Sequence, residues 1–340
     1  MERTDYKGCI MVFRAAAICL ALLTGLPAAA QCVGDSYLDQ LTDGQQAALE
    51  QAVQNMPFAE GLLWTATQGA RTLTIIGTMH IYDPRLEEIR AKVSEPVTKA
   101  DIILLEATPE EEAQLQDLLV TDPGRLFIVD GPTLPDLLDE ATWTLIADAA
   151  TQRGIPAFMA AKMQPWYLSL MLAIPSCAMS DMVAGASGLD HMISADATAA
   201  GVPLQALEPY TTLFDIFQSD SIAEQVDLLR VNLLAPDLQQ KMFVAMLDRY
   251  FAEDIGRLWE MSRIALEDVP GLDPAEGAAM FTEMQDALLD QRNRNWIPVI
   301  TDAAQTHDNI VIAVGAAHLI GDQGILRLLE NEGWTITRQP

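Results

Sequence analysis

Short apolar runs that alternate with helical stretches constrain this fold more than any other feature of the chain. Asp101-Ile-Ile-Leu-Leu-Glu106 is continuously apolar between its two acids, the pattern of a strand buried on both faces. Leu73 to Gly77, Val202 to Glu208 and Asn309 to Gly315 also read as buried strands, and residues at helical spacing separate them. A strand covered on both sides needs helices on both faces of its sheet. The alternation therefore predicts an α/β fold, a central β-sheet with flanking helices.

Local punctuation sharpens the map. Leu62 to Thr67 and Leu73 to Gly77 flank Gly69-Ala70-Arg71, which predicts a hairpin. Pro84 to Ala100 reads as helix, and Thr108 stands as an N-cap before Pro109 and three glutamates. Asp136 to Arg153 is helical up to Gly154, Ile155 to Met159 reads as a strand, and Met192 to Ala200 reads as a helix closed by Gly201. From Ile222 to about Asp290 strand signals are missing, with breaks only near Pro236 and between Val269 and Pro274. With the helix that follows, this predicts a helical insertion over about 222–306. The chain ends in a helix from Gly321 to Asn331 and a strand from Trp334 to Arg338.

Two of the buried strands run into the same motif. Leu73-Thr-Ile-Ile-Gly77-Thr78-Met79-His80 and Val311-Ile-Ala-Val-Gly315-Ala316-Ala317-His318 each read as a strand followed by G-x-x-H, in a chain with four histidines. Two further strands end in a carboxylate, Glu106 after Ile102 to Leu105 and Glu208 after Leu204 to Leu207. Open α/β sheets hold ligands outside the carboxyl ends of their strands, where loops converge over a rigid core. The two halves of the chain are thus expected to bring His80, His318, Glu106 and Glu208 to one cleft. Neutral imidazole nitrogen and carboxylate oxygen suit a divalent transition metal such as zinc, manganese or cobalt. One carboxylate is then free to serve as general base. The competing reading is structural, with polar side chains capping strand ends.

Charge narrows the partners. Twenty Lys and Arg against 48 Asp and Glu leave a formal charge of −28, which repels a phosphate backbone, and no basic stripe with interleaved aromatics overrides it. Nucleic acid and anionic membrane surfaces are poor candidates as partners; a peptide or small-molecule substrate is expected. Residues 1–30 stand apart: Lys7 and Arg14 precede an apolar run from Ala15 to Leu26, and Pro27-Ala28-Ala29-Ala30 offers a cleavage site. They are expected to be a secretory signal, leaving 31–340 as a single domain in the periplasm or outside the cell without a stable membrane anchor. The competing reading is a tethered N-terminus, although the run is shorter than the roughly 20 residues a bilayer span needs. Beyond the signal only Cys32 and Cys177 remain. In an oxidising compartment they are expected to form a disulfide, because a zinc or redox site would want C-x-x-C spacing and none is present.

Gly77-Thr-Met-His80 with Asp83-Pro84, Leu105-Glu106, Lys162-Met-Gln-Pro-Trp166, Gly188-Leu-Asp190, Leu207-Glu208, Arg292-Asn293, and Val314-Gly-Ala-Ala-His318-Leu319 with Gly321 and Gly333 together resemble the TraB/GumN family, which includes the animal Tiki proteins. The resemblance runs from about Glu60 to Arg338. It implies a fold similar to the erythromycin-esterase and ChaN superfamily and, from the Tiki members, a metal-dependent proteolytic activity that uses both G-x-x-H motifs. It also adds Arg292 and Asn293 to the candidate catalytic residues. Arg292 either binds a substrate carboxylate or stabilises an oxyanion, or else forms a salt bridge that holds Glu106 or Glu208. Asp190 is expected to cap the helix beginning at Met192, while His191 and His307 are expected on the surface. Gln291 departs from the family pattern, where an acid often precedes Arg-Asn, and Pro298 is expected to kink its helix.

These readings converge on a metal-dependent hydrolase, a peptidase by class, with His80 and His318 on the metal together with Glu106 or Glu208, and Arg292 stabilising charge. The alternative is a non-catalytic binding protein that sequesters a peptide, haem or metal. Serine-hydrolase elbows, phosphate loops and H-E-x-x-H helices are missing from the sequence. The methionines from Met159 to Met192 read as flexible core packing, and Lys162 to Tyr167 as either a pocket wall or a packed helix start.

Overall fold

The apolar runs pair with one another at the centre of the molecule. A computed structural model describes residues 32–183, 185–218, 221–231, 236–267, 269 and 272–340; the expected secretory signal lies outside the described residues. Six strands, β1 (Leu63–Gln68), β2 (Arg71–Thr78), β3 (Ile102–Leu105), β4 (Leu204–Ala206), β5 (Asn309–Gly315) and β6 (Thr335–Arg338), form one sheet. Their order is β4-β3-β5-β2-β1-β6. The first four in this order are parallel neighbours, and β1 runs antiparallel to both β2 and β6. The β1–β2 hairpin closes through Gly69-Ala70, with Gln68 paired to Arg71. Gly69 takes φ +65°, which suits the first position of a tight hairpin turn.

Register places the chemistry. Thr78 pairs with Gly315, Leu105 with Ala313, and Leu105 with Ala206, so four parallel strands end side by side at one edge. The loops that leave this edge carry His80, Glu106, Glu208 and His318. Strand β5 comes from the far end of the chain yet lies between β2 and β3.

Helices cover both faces, as the continuous apolar runs require. On one face Leu86, Val93 and Val97, then Leu189, Met192, Ile193 and Ala197, then Phe243, Leu247 and Tyr250 pack against Ile76, Ile103 and Val311. Trp296, Ile300, Ala303 and Ala304, with Ile325, Leu326 and Leu329, cover Ile75, Leu104 and Ile312 on the other. Full burial of each such aliphatic side chain contributes about 1.5–3 kcal/mol. The long helical stretch therefore joins the core: helix Pro236–Phe251 supplies part of one layer and helix Gln291–Thr306 much of the other. The latter runs through Pro298, flanked by the fully buried Trp296 and Ile300.

Cys32 and Cys177 form a disulfide with their Cα atoms 5.4 Å apart, closing a loop of 145 residues. Among the described residues no helix is long and apolar enough to cross a membrane. Three local expectations change. The strand expected to be buried within Val202–Glu208 is the edge strand β4, with Gln205 exposed and Leu204 and Ala206 half-buried. The run expected as a strand at Ile155–Met159 holds a short helix, Ala157–Ala160, with Pro156 at its N-cap. A five-residue apolar run has no helical or strand period of its own, so its neighbours decide it. The helix expected from Asp136 to Arg153 is two pieces, Leu134–Leu137 and Glu140–Gln152, because Asp139 turns its carboxylate onto the Thr142 amide as an N-cap.

Candidate functional site

His318 lies one turn beyond β5, in the 3-10 segment Ala316–Leu319, and is buried. Its Nδ1 is 2.7 Å from Asn293 Oδ1. The Asn293 amide nitrogen donates to the carbonyls of His318 and Gln323 at 3.3 and 2.9 Å, so its oxygen is the acceptor and His318 Nδ1 carries the hydrogen. The lone pair of Nε2 then faces the cleft, 3.2 Å from Arg292 Nη1. Burial, aided by the charges of Arg292 and His80 and opposed by Glu106, pushes its pKa down to about 4.

Glu106 follows β3 directly and meets both halves of the sheet. Its Oε1 accepts the Gly315 amide at 2.7 Å and its Oε2 accepts Arg292 Nη2 at 2.7 Å. Burial disfavours its charge, but His318, His80, Arg292 and the Gly315 N–H outweigh that and hold its pKa at about 2. A side chain at Gly315 would press on Glu106 Oε1 and come 3.6 Å from both His80 Nε2 and His318 Cδ2, so glycine leaves the three groups room to converge. His80 Nε2 is 4.0 Å from Glu106 Oε1, and His318 Nε2 is 3.9 Å from Glu106 Oε2.

Arg292 occupies the gap between the carboxylates. Its Nε and Nη2 reach Glu208 at 2.5–3.1 Å, and Trp296 Nε1 donates to Glu208 Oε2 at 3.0 Å. Three N–H donors thus meet Glu208, the single hydrogen of Arg292 Nε being shared between its two oxygens. A π turn at Asp286–Asp290, in which the Gln291 amide reaches back to the Asp286 carbonyl, leads directly into this helix, and Arg292 Nη1 donates to Leu288 O at 2.9 Å. Such turns are frequent at functional sites, yet no sequence signal marks this one.

His80 stands at the mouth, its side chain 59% exposed. Its Nδ1 is 3.2 Å from Asp190 Oδ2. Desolvation opposes its charge, but the hydrogen bond to Asp190 and the negative charges of Glu106 and Asp190 raise its pKa to about 9. Asp190 does not cap a helix at Met192: that helix begins at Leu189, with Gly188 at the N-cap, and Asp190 in its first turn points at the site. Gly188 lies against the main chain of Met79 and His80, where any Cβ would collide, and the Leu189 amide donates to Met79 O at 2.9 Å. His191, expected as a plain surface residue, links Asp190 Oδ2 at 2.9 Å to Glu112 Oε1 at 2.8 Å. His307 ends helix Gln291–Thr306 at the opposite edge of the sheet. Trp166 and Tyr167 pack with Phe214 and Phe217 in an aromatic cluster, and Met163 and Met192 are core residues.

The donors suit a divalent transition metal in kind. Both imidazoles have Nδ1 tied to an oxygen acceptor and Nε2 turned toward one carboxylate, the arrangement of metal-ligating histidines with their supporting partners. Each oxygen of Glu106 accepts one bond and keeps a second lone pair. Glu208 is engaged by Arg292 and Trp296 instead. Among the described residues no three such side chains close around one point.

Fold and site define an α/β protein with a buried carboxylate–imidazole–guanidinium cluster at the carboxyl edge of a largely parallel sheet. The chain belongs to the TraB/PrgY/gumN family, which residues 62–338 match. No curated protein gives a significant match to the chain.

Proposed function

We propose that this protein is a metal-dependent hydrolase of the periplasm or extracellular space, acting on peptides. The observation that carries the reading is the pair of G-x-x-H imidazoles, each with Nδ1 tied and Nε2 directed at Glu106 within 4.0 Å. His80, His318 and Glu106 would hold the ion, which when bound supplies a Lewis acid and an activated water. Asp190 and Asn293 keep the two rings in the tautomer that presents Nε2. Glu208 holds the Arg292 guanidinium beside the cleft, where it stabilises negative charge developing on a substrate oxygen. The acidic chain carries its own cation into the site, so an anionic intermediate is not left to the surrounding negative field.

A second reading has its own support. Arg292 stands 2.7 Å from Glu106 and 3.2 Å from His318 Nε2, filling the position of a cation between them. In that case the guanidinium supplies the positive charge, no metal is needed, and His80, charged at neutral pH beside Asp190, is the general acid. Metal analysis of untagged protein, with hydrolysis of an unstructured-peptide pool before and after chelation, separates the two. The metal reading expects His80→Ala and His318→Ala each to lose metal and hydrolysis together while the fold persists. Hydrolysis that survives chelation overturns it in favour of the metal-free reading, and bound metal without turnover favours sequestration.

A further inference from the structure

His191 was readable only as a surface residue, yet it is the second support of the carboxylate that orients His80. Asp190 uses a single oxygen for both contacts: Oδ2 meets His80 Nδ1 at 3.2 Å and His191 Nδ1 at 2.9 Å. Its other oxygen, Oδ1, is buried and has no hydrogen-bond partner. A carboxylate anchored through one oxygen by one donor can pivot about that contact; a second donor from another direction fixes its plane. His191 supplies that donor, and its own orientation is set at the far nitrogen, where Nε2 meets Glu112 Oε1 at 2.8 Å. Glu112 comes from the first turn of helix Pro109–Thr121, four residues past the Thr108 cap, so the chain of contacts begins on a second rigid element.

We propose that His191 and Glu112 are positioning residues for His80. They hold Asp190 in the one orientation in which it accepts the His80 Nδ1 hydrogen, leaving Nε2 directed at Glu106. The inference concerns the same site as the proposed hydrolase but rests on hydrogen-bond geometry, so it stands or falls separately from metal use. It also assigns a role to a residue outside the motifs that carried the resemblance.

The chain has four histidines, which makes the ring nitrogens of ¹⁵N-histidine-labelled protein separately assignable by NMR. In the full chain the Nδ1 hydrogen of His80 is expected to exchange slowly with solvent. His191→Phe keeps a ring of similar size and removes both donors; it should speed that exchange at least about tenfold, the scale on which outer-shell partners act. His191→Gln restores a donor toward Asp190 and should recover part of the protection. Glu112→Ala removes an exposed carboxylate and should loosen His80 less, which decides the matter if His191→Phe fails to fold. Titration with cobalt(II), read by its visible spectrum, should show the same order of affinities. If wild type binds no cobalt, the metal reading fails while the exchange rates still test His191. Unchanged His80 exchange in both His191→Phe and Glu112→Ala overturns the proposal.

Discussion

At the scale of single residues, the energetic weight of the site rests on Arg292. Its guanidinium is buried and serves Glu106, Glu208 and the Leu288 carbonyl at once. Removing one member of a buried ionic cluster strands the others, which typically costs about 3–5 kcal/mol. Arg292→Met is therefore expected to lower stability by that amount in urea denaturation. The double variant Arg292→Met/Glu208→Gln should cost less than the sum of the single changes, because removing the cation also removes what Glu208 holds. A strictly additive result would mean that the two do not share an environment. Glu106 and the two histidines were legible because each ends a buried strand. Asp190 was misread because a helix start explains such a residue equally well from one dimension, and His191 is exposed as expected while its contacts were not legible; only the packing of Gly188 against Met79 and His80 turns that helix toward the site.

Among the elements, those specified by short-range chemistry formed where the sequence placed them. The hairpin, the Thr108 capping box completed by Glu111, and the Gly201 stop at φ +73° each depend on contacts within a few residues. Ile155–Met159 and the π turn before Arg292 did not announce themselves, since neighbours and not local pattern decided them. The N-terminal segment is held by a covalent element. Cys32 joins it to helix Ser176–Val183, across a loop long enough for the cross-link to contribute up to about 5 kcal/mol by restricting the unfolded chain. Cys32→Ser/Cys177→Ser should lower the thermal midpoint, and wild type in reductant should fall to the same value. A midpoint indifferent to both changes would remove the disulfide from the stability of the fold.

For the whole molecule, the cluster predicts how stability varies with pH. His318 has a folded pKa of about 4 against 6.5 in the unfolded chain, so its contribution is complete above pH 6.5 and is lost as pH falls from 6.5 to 4. Glu106, depressed from 4.5 to about 2, extends the loss below pH 4.5. His80 has the opposite sign: raised from 6.5 to about 9, it stabilises fully below pH 6.5 and fades as pH rises through 9. Its half-exposed ring makes that alkaline limb the shallower one, since solvent screens it. Denaturation midpoints are expected to peak near neutrality, and His318→Gln should flatten the decline between pH 6.5 and 4. An unchanged acid limb in that variant would show that His318 is not buried in its neutral form.

The sequence by itself determined the α/β class, the hairpin, the cysteine pair and the strand-end residues, because periodicity, turn chemistry and residue type are local properties. It could assign two imidazoles and two carboxylates to strand ends, but it could not say how they divide. Tertiary structure made that division. By inserting β5 between β2 and β3, it set both histidines about Glu106. By packing helix Gln291–Thr306 over the sheet, it drove Arg292 against Glu208. The physical reason is that hydrogen-bond and ion-pair partners are chosen by distance and direction in space, and these are set only when strands from opposite ends of the chain share one register.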